Sequence, residues 1–356
     1  MKLHTTDLEA YLANPSSDQA QADCKQVAED LEQRGLTLVR DPRVQDTIRV
    51  AFLAMMDRFW KLPEEKKLEY VRTETMHQMG YTPPRTERPG RTQERIEIVN
   101  KMTPWNKPYS NMDPRTPNLG DSKVRWFHAP VYRESSPQYA CFNRMDNRAP
   151  VGFSQWLTLS DLWGQVLHGT AMTILRMAAI GWGSEDPQLF TRMLDLGPHL
   201  LAPTGSDLIK HGTPKEVLAG FHNDTGCLTV HGRATHPGLR AWTRDLSVFD
   251  VKVPEGCVLA QAGRQFEWLT GGRALRGFHE VVVADQKELL DEIADAKRVG
   301  RPLFRTATPM FLHVQSDKTV EPIGPFATEQ ARATYEPFGS GARLMEALKA
   351  RGLAPA

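Results

Sequence analysis

Gly220-Phe221-His222-Asn223-Asp224-Thr225 and, further along, Arg276-Gly277-Phe278-His279-Glu280-Val281 are the two segments whose spacing demands a specific chemistry. Side chains alternate faces along a strand, so His222 and Asp224 point the same way while Asn223 points away. A third donor must come from elsewhere. His279 is the natural candidate, because it sits in its own apolar run, Phe278 to Val283, which reads as a strand able to lie beside the first. Two imidazoles and one carboxylate on one face of a metal leave the opposite face open, the facial arrangement suited to non-haem Fe(II). The plainer alternative for the first pair is an Asp224 that caps a turn beside a packed His222.

Composition narrows the classes of function. At 356 residues the chain exceeds the usual single core, yet a mixed domain with helical additions reaches this length, so one extended catalytic unit is expected. Within it, residues 1–150 read as an N-terminal helical and irregular cap, and 151–356 as a long helix plus the catalytic core. A formal net charge of +1 offers no strong handle for nucleic acid or a membrane surface, and neither is expected as a partner. Cys24, Cys141, Cys227 and Cys257 are scattered with no CxxC pair, which indicates neither a zinc ribbon nor a disulfide framework. The expectation is a cytoplasmic monomer or homodimer that takes a small-molecule substrate.

In chain order, Ala20, Ala22, Val27, Ala28 and Leu31 fall at helical spacing between Ser17 and Gln33, and Gly35 ends the helix. Leu36 to Val39 reads as a strand. Asp41-Pro42 reads as the start of a second helix, through Ile48, Phe52, Met55, Phe59 and Trp60, that closes at Pro63. From Met76 to Pro150 ten prolines and many polar residues mark an irregular segment, a substrate-facing loop or a surface insertion, in which only Gln93 to Asn100 reads as a strand. Leu157 to Ile180 reads as a long helix with a broad apolar face, stopped by Gly181 and Gly183. After Pro198 short strands follow at close intervals, separated by Pro237-Gly238, Pro254-Glu255-Gly256, Gly263 and Gly271-Gly272. They include Phe221 to Asp224, Cys227 to His231, Leu239 to Thr243, Val248 to Val253, Cys257 to Gln261, Phe266 to Trp268, Phe278 to Val283 and Pro309 to Val314. Many short strands at this spacing suggest a barrel or a double-sheet jelly roll. Gln286 to Lys297 is a helical insertion, and Ala342 to Arg351 reads as a final helix.

With these elements in place the chain resembles the isopenicillin N synthase-like branch of the Fe(II)/2-oxoglutarate-dependent oxygenases. The resemblance spans most of the chain. It rests on Phe59-Trp60-Lys61-Leu62-Pro63-Glu64-Glu65-Lys66, on Gly80-Tyr81 and on an ordered series in the core: Leu228-Thr229, Pro237-Gly238-Leu239, Trp242, Val253-Pro254-Glu255-Gly256, Gly263 and Trp268-Leu269-Thr270-Gly271-Gly272. It implies an α+β fold, a distorted double-stranded β-helix (jelly-roll) core with an N-terminal helical cap and a long supporting helix. It also implies Fe(II) held by His222, Asp224 and His279, with 2-oxoglutarate and O2 as co-substrates. Arg305 in Arg305-Thr306-Ala307 matches the family's co-substrate arginine, with Arg298 and Arg301 as rivals. Three departures are visible. Ala307 stands where the family has a serine, the insertion after Asp285 lengthens the gap to Arg305, and Leu200-Leu201-Ala202-Pro203-Thr204 stands where a tyrosine is common. Thr204, Thr306 and Thr308 are candidates for the missing hydroxyl, although Thr306 and Thr308 would face away from Arg305 on a strand.

For the substrate, polar candidates are Arg95 and Glu97 on the early strand, Arg233 beyond the first ligand strand, and Gln265 and Glu267 before Trp268. A buried Glu267 would need a cationic partner, which suits an amino or guanidino substrate or an internal ion pair. The expected activity is oxidation, by default hydroxylation, of a small polar metabolite such as an amino acid or its derivative. The alternatives are an iron oxidase or cyclase of the isopenicillin N synthase or aminocyclopropane carboxylate oxidase type that does not use 2-oxoglutarate, and a non-catalytic jelly-roll binding protein.

Overall fold

A computed structural model of the chain describes residues 3–354. Ser17 caps the helix Asp18–Gln33, its Oγ accepting from the Ala20 amide, and the helix buries Ala20, Cys24, Val27, Ala28 and Leu31. That face lies along the long helix Trp156–Gly181. The two helices cross closely at Gly181, where a Cβ would stand 2.1 Å from the Cys24 carbonyl oxygen, so no larger residue fits there. Phe59 and Trp60, from the helix Asp46–Trp60, extend this core. The Phe59 ring meets Trp126 and Trp156 edge-on at centroid distances of 5.2 and 5.1 Å.

Three segments differ from the reading of the sequence. The helix expected from Asp41 begins instead at Asp46, with Gln45 as its N-cap. Asp41 is buried and committed elsewhere, accepting from Arg43 Nη2 at 2.6 Å and from Thr170 Oγ1 of the long helix at 2.6 Å, so it anchors the preceding strand rather than capping. Gln93–Asn100, expected as a strand, is a helix capped by Thr92. Ile96 and Val99 there are three apart, which fits a helix as well as a strand, and Val99 packs into a cluster with Phe221, Trp242 and Phe278. The expected strand Phe266 to Trp268 lies in the helix Arg264–Leu269, which follows Gly263 and is tied to the loop after His222 by Arg264 N–H to Asp224 O at 2.9 Å.

Antiparallel pairing dominates three sheets. The largest has the order Thr5–Asp7, Leu36–Arg40, Cys257–Ala262, Leu228–Gly232, Met310–Leu312, Leu200–Leu201, parallel only at its first pair. The second runs Val248–Asp250, Leu239–Trp242, Phe278–Val282, Val217–His222, and the third runs Phe304–Ala307, Thr204–Asp207, Val124–Phe127, Gly80–Thr82. Thus the irregular stretch 76–150 contributes two strands of the third sheet, held by partners distant in sequence. Its loop near Ser110 is pinned to the second sheet, because Glu280 accepts from the Tyr109 and Ser110 amides at 3.0 and 3.2 Å and pairs with Arg240 at 2.6 Å. No described helix is long and apolar enough to cross a membrane.

Candidate metal centre and its cavity

Pairing in the second sheet creates the centre. His222 and His279 are direct cross-strand partners, their ring centroids 4.2 Å apart, and Asp224 follows just beyond the end of its strand. One donor atom from each of the three residues lies within 4.8 Å of the other two. The Nδ1–H of His222 donates to Gly220 O at 2.6 Å and that of His279 to Gly277 O at 3.1 Å, an arrangement that frees both Nε2 atoms for a metal. Thr229 Oγ1 donates to Asp224 Oδ2 at 2.6 Å, and Asp224 Oδ1 stands 3.8 Å from His222 Nε2. That separation is too long for a hydrogen bond and suits two donors that share an ion. Burial, then His279, Lys123 and Arg95, push the His222 imidazole well below the usual histidine range, which keeps it in the neutral form a metal ligand requires. The residues therefore fit a divalent metal. Asn223, also past the end of the strand, is not part of the cluster and accepts from Arg95 Nη2 at 3.4 Å.

The centre opens into a cavity whose wall also carries Arg305, Ala307, Thr204 and Ser206. Arg305 is buried on the strand Phe304–Ala307, and its Nε donates to Pro237 O at 3.1 Å. Among the described residues no carboxylate lies within 4 Å of it. Burial brings its guanidinium down to about 10, so it is still a cation at neutral pH. Opposite residues of an antiparallel pair share a face, and here Arg305 faces Ser206 while Ala307 faces Thr204. Ser206 thus places a hydroxyl opposite Arg305 where position 307 has none, while Thr204 Oγ1 donates to Ala202 O at 2.9 Å and accepts from Arg125 Nε at 3.1 Å. Thr308 turns the other way, accepting from Trp163 Nε1 at 3.0 Å.

The remaining sequence candidates are dispersed. Arg95 lies behind the ligand loop, where its Nη1 donates to Gly90 O at 2.7 Å, and Arg233 is exposed on an outer cavity that shares only His231, Leu239 and Arg305 with the inner one. Gln265 and Glu267 do not line the cavity. Gln265 bridges Ser340 Oγ and the Val314 amide, both at 2.9 Å, while Glu267 sits 3.0 Å from Arg276 Nε. The internal ion pair weighed for Glu267 is what the fold contains, and no cationic substrate is needed to balance it.

Sequence reading missed a second set of residues. An adjoining chamber shares His222, Asp224, Arg125 and Phe311 with the first and adds Glu87, His313 and Arg351. Glu87 Oε2 takes Lys123 Nζ at 3.2 Å and Arg125 Nη1 at 3.0 Å, and Lys123 also pairs with Asp121. Burial opposes ionisation of Glu87, but Arg125, Lys123 and Arg351 outweigh it and hold its carboxyl far below the usual range. The available signal was the alternation Lys123-Val124-Arg125-Trp126-Phe127, in which Val124 and Trp126 enter the aromatic core while Lys123 and Arg125 face the cavity.

Residues 3–119 match the N-terminal model of the non-haem dioxygenases in morphine synthesis. A search of curated proteins finds no match. Solved structures with a similar fold include a full-length Neurospora crassa protein in complex with alpha-KG, at 21% identity, TM-score 0.74 and coverage of 98% of this chain and 96% of that one. They include a putative 2OG-Fe(II) oxygenase family protein from Caulobacter crescentus, at 18% identity, TM-score 0.71 and 98% coverage of both chains. JOX2 in complex with 2OG, Fe and JA is a third, at 15% identity, TM-score 0.67 and coverage of 99% of this chain and 86% of that one. Residues 3–119 thus carry the N-terminal region that this family model describes, and the chain as a whole shares its fold with these solved structures.

Proposed function

We propose that this chain is an Fe(II)- and 2-oxoglutarate-dependent oxygenase of a small molecule, with hydroxylation as its default outcome. In this reading the first two sheets are the walls of a distorted jelly roll, His222, Asp224 and His279 hold the iron, and Arg305 with Ser206 and Thr204 holds the far carboxylate of 2-oxoglutarate. The observation that carries it is the buried His-Asp-His cluster opening into the same cavity as a buried, carboxylate-free guanidinium. A lone buried cation is costly, and a fork facing an open cavity is suited to bidentate carboxylate binding.

When bound, iron with 2-oxoglutarate and O2 supplies the oxidising power to attack an unactivated C–H bond, with succinate and CO2 as by-products. The residues of the chain supply placement. Gly220 O and Gly277 O fix the two imidazole planes, Thr229 leaves one Asp224 oxygen for the metal, and Arg305 sets the direction of the co-substrate. Phe311 and Leu218 help keep the cavity wall apolar and exclude water. The similar proteins solved with alpha-KG or with 2OG and Fe support the same assignment by analogy of fold. Succinate is the direct readout, with release in step with substrate oxidation expected. Full turnover without succinate would overturn the 2-oxoglutarate assignment and favour the 2-oxoglutarate-independent oxidase, for which Ala307 is the sequence feature.

A further inference from the structure

The chamber beside the metal cluster has a charge pattern that selects for an anion. Among the described residues that line it, the one carboxylate besides Asp224 is the largely covered Glu87, which is paired with Lys123 and Arg125. Arg125 gives its Nε to Thr204 Oγ1 at 3.1 Å and its Nη1 to Glu87, and its Nη2 has no partner among the described residues. Arg351 gives Nη2 to Thr225 Oγ1 at 2.9 Å, while its Nη1 stands 3.6 Å from Glu87, beyond hydrogen-bond reach. Two guanidinium groups therefore face one chamber with donors to spare, and no free carboxylate there invites an amine. Gln78, Thr225 and His313 add neutral polar groups to the wall, and most of the remainder is apolar. Phe127, Leu200 and Phe311 come from the sheets, and Leu344, Leu348 and Leu353 from the C-terminal helix and the residues after it. Arg125 also lies over the Phe127 and Phe311 rings at 5.4 and 5.5 Å, which holds its plane against the sheet side of the chamber.

We infer that the substrate is a small amphipathic carboxylic acid, its carboxylate received by Arg125 and Arg351 and its apolar body lying between Phe311 on the sheet side and Leu344 and Leu348 on the C-terminal helix. This rests on the assignment of His222, Asp224 and His279 as the iron ligands, which makes the adjoining chamber the place where a substrate meets the metal. It replaces the expectation of an amino or guanidino substrate, because Glu267, the residue that suggested one, is paired with Arg276 away from the cavity.

The test uses the full chain saturated with Mn(II) and 2-oxoglutarate, so that binding is read without turnover. A panel of aryl- and alkyl-carboxylic acids, each with its primary amide and the corresponding amine, is screened by thermal shift, and hits are measured by calorimetry. Acids are expected to bind at least about tenfold more tightly than their amides, the worth of one charge-assisted fork. Arg351→Gln, at the partly exposed C-cap of the last helix, is expected to reduce that preference to within about threefold. Amides or amines that match the acids, a panel with no binders, or an Arg351→Gln protein that keeps the full preference would each overturn the inference. The wild-type panel decides the question even if the variant does not fold. Anaerobic Fe(II) and 2-oxoglutarate absorbance of the wild type is read in parallel. A normal band with no acid preference removes only the anionic substrate, whereas an absent band removes the iron assignment beneath it.

Discussion

Arg305 is buried and Glu87 largely so, both are charges in the walls of joined cavities, and the protein treats them oppositely. Glu87 has Lys123 and Arg125 within 3.2 Å and Arg351 close by. Arg305 has one backbone carbonyl. A saturated charge contributes to the fold, because breaking one arm of a buried network leaves the others uncompensated. An unsaturated charge facing a cavity costs stability and is matched only when a ligand arrives. On the proposed reading the difference marks Glu87 as a charge spent on the fold and Arg305 as one held for a ligand.

The contrast is broken most severely at Glu87. Glu87→Gln is expected to lower unfolding free energy by about 3 kcal/mol, since Arg125 loses its carboxylate partner and Lys123 is left with Asp121 alone. Arg305→Gln is expected to leave the ligand-free protein within about 1 kcal/mol of the wild type or more stable, because it removes an unpaired buried charge. Urea titration of both variants checks the pair, and equal losses would erase the distinction. In the other direction, Arg305→Gln is expected to weaken 2-oxoglutarate binding by about 10- to 100-fold, measured by calorimetry with Mn(II) present.

A pH effect sharpens the picture of a dry cavity. Burial lowers the His231 and His313 imidazoles to about 4. In the unfolded chain these groups take up protons near pH 6.5, while in the folded chain they stay neutral down to about 4, so the unfolded state binds more protons in that window. Stability is therefore expected to fall as the pH drops from about 6.5, by about 2 kcal/mol per imidazole at pH 5. Urea midpoints at pH 7.5 and 5 measure it, and His313→Gln should flatten the dependence. The smallest effect is expected at Ser206→Ala, which removes one hydroxyl beside Arg305 and should weaken 2-oxoglutarate about 2- to 10-fold, with Thr204 retaining part of the site.

The metal cluster was legible because its logic is local. A two-residue spacing puts His222 and Asp224 on one face, and an apolar run supplies the partner strand for His279. Arg305 could be read from its place in an ordered series. The hydroxyl pairing could be read only in part, because whether Thr204 or Ser206 stands beside Arg305 depends on register across strands about a hundred residues apart. Glu87, Lys123, Arg125 and Arg351 were not found. Their meaning lies in non-local contacts between an irregular segment and the C-terminal helix, and no short spacing announces those. Gln93–Asn100 and Arg264–Leu269 were read as strands because so few residues do not separate the two periodicities. Asp41 has the composition of a cap, but its carboxylate serves Thr170 of the long helix.

The assignment of iron and 2-oxoglutarate to one cavity is tested most directly by anaerobic titration of the wild-type protein with Fe(II) and 2-oxoglutarate, followed by absorbance, with His279→Ala alongside. The expected result is a weak visible charge-transfer band that saturates at one equivalent in the wild type and is absent in His279→Ala. No band in a folded wild-type protein would contradict the assignment.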